Sequence, residues 1–158
     1  MEKHIENFKS KGRERTSAYT EVVGHDTQIR HVNILFLSGA QEDIERRILS
    51  EVKRKRNGYK SQDVRREIYD LNRFISLEQT LEHLVSSRLR CAYCYEKVDV
   101  VYTQVRSPSQ WTLDRIDNDM GHHADNTVVS CLRCNLRRRT TDYNKFKFTR
   151  ELKLVKGT

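Results

Sequence analysis

Four cysteines stand as two CxxC pairs, Cys91-Ala92-Tyr93-Cys94 and Cys131-Leu132-Arg133-Cys134, and the chain has no other cysteine. This spacing lets two thiolates reach one tetrahedral Zn²⁺ from a tight turn, and two such pairs complete a closed Cys₄ site. Ligation by Cys91, Cys94, Cys131 and Cys134 would hold the first knuckle against the start of whatever element follows the second. Oxidation-sensing thiols or disulfides are the competing reading of the same residues. Between the knuckles lies an acidic, amide-rich and histidine-containing segment, where hard-metal chemistry can sit.

Composition favours zinc over disulfides by way of compartment. The segment Met1-Glu2-Lys3-His4 is charged and has no apolar signal core. The most apolar run, residues 31–37, is far too short to span a bilayer. An intracellular, reducing setting (cytoplasm, nucleoid or nucleus) with no membrane partner is therefore expected, and there paired cysteines read as metal ligands. Hydrophobic residues make up 36% and charged residues 33%, a core-poor balance, while a single proline and six glycines leave room for helices. A net charge of +8 points to a polyanionic partner, most simply nucleic acid.

The pattern changes near residue 90. Residues 1–88 read as a mostly helical region, and nothing in them chooses between recognising a target and docking a partner. Glu2 to Lys11 suggests a short helix, and Gln28 to Ser38 a strand with Val32, Ile34 and Phe36 on one face. Ile44, Ile48 and Val52 recur at helical spacing, with Asn57-Gly58 as the stop. Ser61 would cap a second helix carrying Val64, Ile68 and Leu71. Ser76 with Gln79 makes a capping box for a third, striped by Leu77, Leu81, Leu84 and Val85. Residues 89–158 read as a second unit. Strands are expected over Lys97–Gln104, Gln110–Asp117 and Thr127–Ser130, with a turn at Ser107-Pro108-Ser109 and a polar loop over Asn118–Asn126. A helix over Leu132–Arg139 and a last one capped at Thr141-Asp142 follow. No repeat or low-complexity tract occurs.

Five pieces in order, Cys91-Ala92-Tyr93-Cys94, Leu113-Asp114-Arg115-Ile116-Asp117, Gly121-His122, Asp125-Asn126-Thr127-Val128-Val129 and Cys131-Leu132-Arg133-Cys134-Asn135, resemble an HNH endonuclease domain. More narrowly they look like the zinc-stapled subset common in phages and viruses. The resemblance covers roughly residues 88–150. It implies an α+β class: a ββα-metal (HNH) domain with a Cys₄ zinc site, preceded by the helical N-terminal region. It also implies that Asp114 binds a catalytic divalent ion, that Asn135 is the second ligand, and that Asn126 orients the general base. The base itself is normally a histidine directly after the metal-binding aspartate, and Arg115 stands there instead. Arginine stays protonated at any working pH and cannot be a general base in the ordinary way.

Phosphodiester hydrolysis needs an activated water, a neutralised phosphate and a stabilised leaving oxygen, and one Mg²⁺ or Mn²⁺ can serve the last two. A carboxylate from Asp114 and an amide oxygen from Asn135 suit such an ion. For the water's proton, His122 and His123 are favoured, because their loop returns to the motif strand and imidazole titrates in the right range. Asp117 is another candidate base, or Arg115's ion-pair partner. Arg115 would grip phosphate. The bland readings are a solvated Asp114, turn and cap roles for Asn126 and Asn135, solvated histidines, and core roles for Trp111 and Leu113.

From Cys131 onward nine Lys/Arg face two acidic residues, +7 of the chain's +8. Arg133, Arg137, Arg138, Arg139, Lys145 and Lys147, with Arg115, are the expected phosphate contacts, which position a duplex without reading its sequence. The basic run Lys53 to Arg56 reads either as a solvated helix face or as a further contact. The expectation is a metal-dependent endonuclease on DNA, with RNA and the oligomeric state left open. The alternatives are a zinc-stapled nucleic-acid-binding module that has lost catalysis, and a virion-type or transcription-complex interaction subunit.

Overall fold

The computed structural model describes residues 21–157; the helix expected over Glu2–Lys11 lies outside them. The described part is mixed α/β, with five α-helices and a two-stranded antiparallel sheet.

The first element corrects the sequence reading. His25–Ser38 is a helix, α1, not a strand. Val32, Ile34 and Phe36 do alternate, but the residues that go inside are Gln28, His31, Val32 and Leu35, a spacing of three and four. Gln28, fully buried, shows why. Its Nε2 donates to the carbonyls of Val23 and Val101, and its Oε1 accepts from the N–H groups of Val100 and Val101. One glutamine therefore satisfies both N–H groups of residues 100 and 101 and the Val101 carbonyl, on a segment with no ladder of its own. Lys97–Gln104 is accordingly not a strand: Lys97 and Asp99 make only isolated bridges, while Val98, Val100, Val101 and Tyr102 pack into the core.

The second helix, α2, runs Asp43–Arg65 without stopping at Asn57-Gly58. A helical glycine costs only about 1 kcal/mol relative to alanine, and contacts on both sides of Gly58 outweigh it. Lys55 donates to the Trp111 carbonyl and to Gln110 Oε1, and Tyr59 Oη accepts from the Leu113 N–H at 3.0 Å. Ser61 lies inside this helix, donating to Asn57 O, and Val64 and Leu71 are exposed, so the separate helix expected there does not form. The third, α3 over Leu77–Ser86, has the capping box read from Ser76 and Gln79, with both reciprocal bonds present. These three helices pack on one another in every pairing, and α3 also touches the sheet.

The sheet pairs β1 (Trp111–Arg115) with β2 (Thr127–Cys131), in register from Trp111 opposite Cys131 to Arg115 opposite Thr127. Successive strand side chains point to opposite faces, yet all five β1 residues are buried, so both faces are covered. The helices α4 (Leu132–Arg138) and α5 (Tyr143–Lys156) follow, the latter capped by Asp142 through Lys145 N. One apolar core runs from Val32 through Ile48, Leu84, Trp111 and Leu113 to Cys134. It does not stop at residue 88. Phe74 bridges His123, and Ile75 N donates to His122 O, so the helical region is bonded directly to the β1–β2 loop.

Candidate functional site

The four cysteines converge. Their sulfurs all lie within 4.8 Å of one another, all four residues are buried, and none is in a disulfide. Cys94 Sγ and Cys131 Sγ are 3.9 Å apart, close to the edge of about 3.8 Å that a tetrahedron of Zn–S bonds near 2.3 Å requires. The Tyr93 N–H points at Cys91 Sγ and the Cys134 N–H at Cys131 Sγ, each at 3.4 Å. Without a cation the set cannot ionise together. Hydrogen bonds from Cys131 and Cys134 hold the Cys91 thiol far below the usual range, while the same shared bonds push Cys134 far up. A buried Cys₄ group at ion-binding distance is what one structural ion such as Zn²⁺ requires.

This cluster also sets the geometry beside it. Tyr93, fully buried within the first knuckle, donates through Oη to Asp114 Oδ2 at 2.5 Å. Burial, and then the Asp114 charge, push the Tyr93 phenol well up, so it remains a donor. From the second knuckle, α4 carries Cys134 and, one turn on, Arg138 to the same inner side. Arg138 Nη1 reaches Asp114 Oδ2 at 3.0 Å and the Arg115 carbonyl, Nη2 reaches Ile116 O, and Nε reaches Thr141 O. Burial opposes its charge, but the Asp114 carboxylate outweighs that and raises its pKa further. Arg138, expected as a phosphate contact, therefore faces inward with its donors engaged.

Asp114 and Asn135 line one cavity of about 820 Å³ between α2, β1 and α4. The hydrogen bonds to Asp114 fall on Oδ2. Asn135 donates through Nδ2 to Thr112 Oγ1 at 3.1 Å. That leaves one carboxylate oxygen and one amide oxygen with no protein hydrogen bond among the described residues. Arg115, Arg139 and Arg66 line the same cavity. Burial, then the neighbouring Arg66 charge, lowers the Arg115 pKa. Its Nη1 donates to the carbonyls of Asn118 and Met120, so the ion pair with Asp117 does not form. Asp117 is exposed and its carboxylate accepts from Asp119 N in a local turn.

The two histidines separate. His122 lines the cavity, stacked on Tyr59 with ring centroids 4.5 Å apart. His123 is buried away from it, with neither ring nitrogen hydrogen-bonded. The Asn126 side chain makes no hydrogen bond to an imidazole. Its Oδ1 accepts from Asp117 N, and its Nδ2 donates to the Asp117 and Gly121 carbonyls at 3.0 and 2.9 Å. It holds the loop that presents His122, so its effect on that ring is indirect.

Among the other expected contacts, Arg133 and Arg137 are exposed beside a neighbouring hollow with Arg106 and Leu136. Lys145 and Lys147 lie on α5, outside the cavity lining. Of the run Lys53 to Arg56, Arg54 reaches Glu51 and Tyr102, and Arg56 reaches the Ile75 carbonyl. The residues missed from sequence are Tyr93, the α2 residues Tyr59, Gln62 and Asp63, and Arg66 at the α2 C-cap. The spacing of Cys134 and Arg138, one helical turn apart, was the available sign that Arg138 turns inward. Among the described residues no helix is long and apolar enough to cross a membrane. Comparisons with family models, with curated proteins and with solved structures give no match to this chain.

Proposed function

We propose that this chain is a metal-dependent nuclease of the HNH kind, hydrolysing DNA phosphodiesters in the cavity between α2, β1 and α4. The observation that carries this reading is that Asp114 from β1 and Asn135 from α4 line one cavity together with Arg66, Arg115 and Arg139. Oxygen donors and guanidinium groups lining one cavity suit a phosphodiester. In this reading the β1–loop–β2–α4 run is the ββα-metal unit, and Zn²⁺ on the four cysteines is its structural staple.

The residues fit a hard divalent ion. Asp114 and Asn135 each have an oxygen with no protein donor among the described residues, and Tyr93 and Arg138 orient the carboxylate through its other oxygen. Mg²⁺ or Mn²⁺ held there would neutralise the phosphate and the leaving oxygen. In the reaction a water oxygen bonds to phosphorus and one P–O ester bond breaks, leaving a phosphomonoester and a hydroxyl. Arg115 and Arg139 grip the phosphate and set its angle of entry.

One observation favours the binding-module alternative. Arg138 already compensates the Asp114 charge, which weakens the site's demand for a second cation. Nicking of supercoiled plasmid under a Mg²⁺ and Mn²⁺ titration tests both, with single-stranded DNA and RNA alongside. The nuclease reading expects metal-dependent cutting that is lost in Asp114→Asn and Asn135→Ala while zinc content holds. Full activity in either variant overturns the metal assignment. Salt-dependent binding with no cutting by the wild type favours the alternative.

A further inference from the structure

The residue after Asp114 is an arginine, and the water's proton needs another destination. Asp63, from the last turn of α2, is fully buried, yet its carboxylate is aimed at the β1–β2 loop. Its Oδ2 accepts the His122 backbone N–H at 2.7 Å, and its Oδ1 lies 2.6 Å from His122 Nδ1. The approach is so close that a Cβ on Gly121 would sit 2.7 Å from Asp63 Oδ2 and 2.8 Å from the Ile68 carbonyl oxygen. Only glycine fits there. The loop is fixed from its other side by Asn126, and the imidazole face is covered by Tyr59.

A carboxylate at this distance accepts a hydrogen bond from Nδ1–H and so fixes the tautomer. The opposite nitrogen, Nε2, is then an acceptor. It has no protein partner among the described residues, and His122 lines the cavity shared with Asp114, Asn135 and Arg115. Burial lowers the His122 pKa, with Asp63 pulling the other way, and this favours the neutral ring, whose Nε2 can accept.

We infer that Asp63 and His122 form a proton-accepting dyad, in which Asp63 is the positioning residue and His122 Nε2 takes the proton from the attacking water. The base is thus moved from β1 to the loop and held in place by a helix outside the segment that resembles the nuclease family. This rests on the nuclease reading for its chemistry. The water's O–H proton passes to Nε2 as its oxygen bonds to phosphorus, and the imidazolium formed is stabilised by the Asp63 carboxylate. The proton returns to solvent after the ester bond breaks. The charged and titratable groups around the ring are Asp63 and Tyr59 from α2, Arg66 at its C-cap, and Asp114 and Arg115 from β1.

The test uses the full zinc-loaded chain and compares wild type with Asp63→Asn, His122→Ala and Asp63→Glu. Long-range ¹H–¹⁵N spectra of the imidazole should show the Nδ1–H tautomer in wild type and its loss in Asp63→Asn. His122→Ala should lower kcat by roughly 10²–10⁴, with added imidazole restoring part of it. Asp63→Asn should lower kcat more than it changes KM and move the rising limb of the pH–rate profile to lower pH, because the carboxylate no longer favours imidazolium. Asp63→Glu, which keeps the charge, should restore part of the rate. If Asp63→Asn does not fold, its zinc content and melt report that, and His122→Ala with imidazole carries the test. An unchanged tautomer in folded Asp63→Asn overturns the dyad. Undiminished activity and pH profile in His122→Ala overturn the base. A folded wild type that cuts no substrate overturns the nuclease reading and the base role together, while the spectra still report whether the Asp63–His122 bond exists.

Discussion

Replacing Arg138 by methionine isolates what holds Asp114 in place. The side chain is 1% exposed. Methionine keeps most of the aliphatic volume but removes the donors to Asp114 Oδ2, to the Arg115 carbonyl, to Ile116 O and to Thr141 O. Ile116 and Thr141 are partly or fully open to solvent, so water can replace those two bonds. Asp114 and Arg115 are buried, and there it cannot do so freely. Breaking a buried ion pair by removing one partner costs about 3–5 kcal/mol, since a charge is left without compensation. At roughly 3–4 °C per kcal/mol for a domain of this size, the melting temperature should fall by roughly 10–20 °C. Urea unfolding of the zinc-saturated protein at pH 7 measures this, with an unchanged m-value showing that the two end states remain the same. The double variant Asp114→Asn/Arg138→Met should be at least about 1 kcal/mol more stable than the sum of the single losses, because the orphaned charge is gone. A loss under about 1 kcal/mol for Arg138→Met, or strict additivity in the cycle, would refute the view that this pair anchors β1 to α4.

Three further outcomes follow from the same geometry. Structural Zn²⁺ is worth about 10–16 kcal/mol in small metal-folded peptides, as much as most domains' whole stability. One zinc per chain, four thiols protected from alkylation, and loss of the Trp111 environment on stripping the metal are therefore expected; a zinc-free chain with an unchanged melt would contradict the Cys₄ assignment. Gly121→Ala should cost about 1–3 kcal/mol, the range for overpacking a close contact, and should change the His122 tautomer signal even where the fold survives; a neutral substitution would mean that the approach of Asp63 is looser than described. The His122 pKa is depressed by burial, so the unfolded chain binds more protons below its ordinary value of about 6.5. Stability supplied by the neutral ring is thus complete above that pH and lost as pH falls below it, and His122→Gln should flatten this part of a stability–pH curve measured with zinc held saturating. Parallel curves for the two proteins would show that the ring folds as readily charged as neutral.

What the sequence determined by itself is local chemistry. CxxC spacing put two thiolates in each knuckle whatever the rest of the chain did. Ser76 and Gln79 are three residues apart, so their capping box closes within a single turn of helix. The alternating residues of β1, the polar loop, β2 and the two closing helices were legible for the same reason. Tertiary structure decided everything that depended on a distant partner. Gln28 to Ser38 has a strand's alternation and a helix's spacing at once, and only the neighbours of Gln28 and Leu35 settle it. Asn57-Gly58 is a stop signal that α2 overrides, because Lys55 and Tyr59 bond to a strand more than fifty residues away. Arg137, Arg138 and Arg139 look alike in a row, yet helical phase turns Arg138 onto Asp114 and leaves Arg137 exposed, while Arg139, at the helix C-cap, is exposed at the cavity. Asp63 carried no sign of function at all, since its importance lies in a 2.6 Å contact with a residue fifty-nine positions on. Helix propensity, capping and metal spacing act over a few residues and can be read from them; the pairing of buried charges is fixed only when the whole core closes around them.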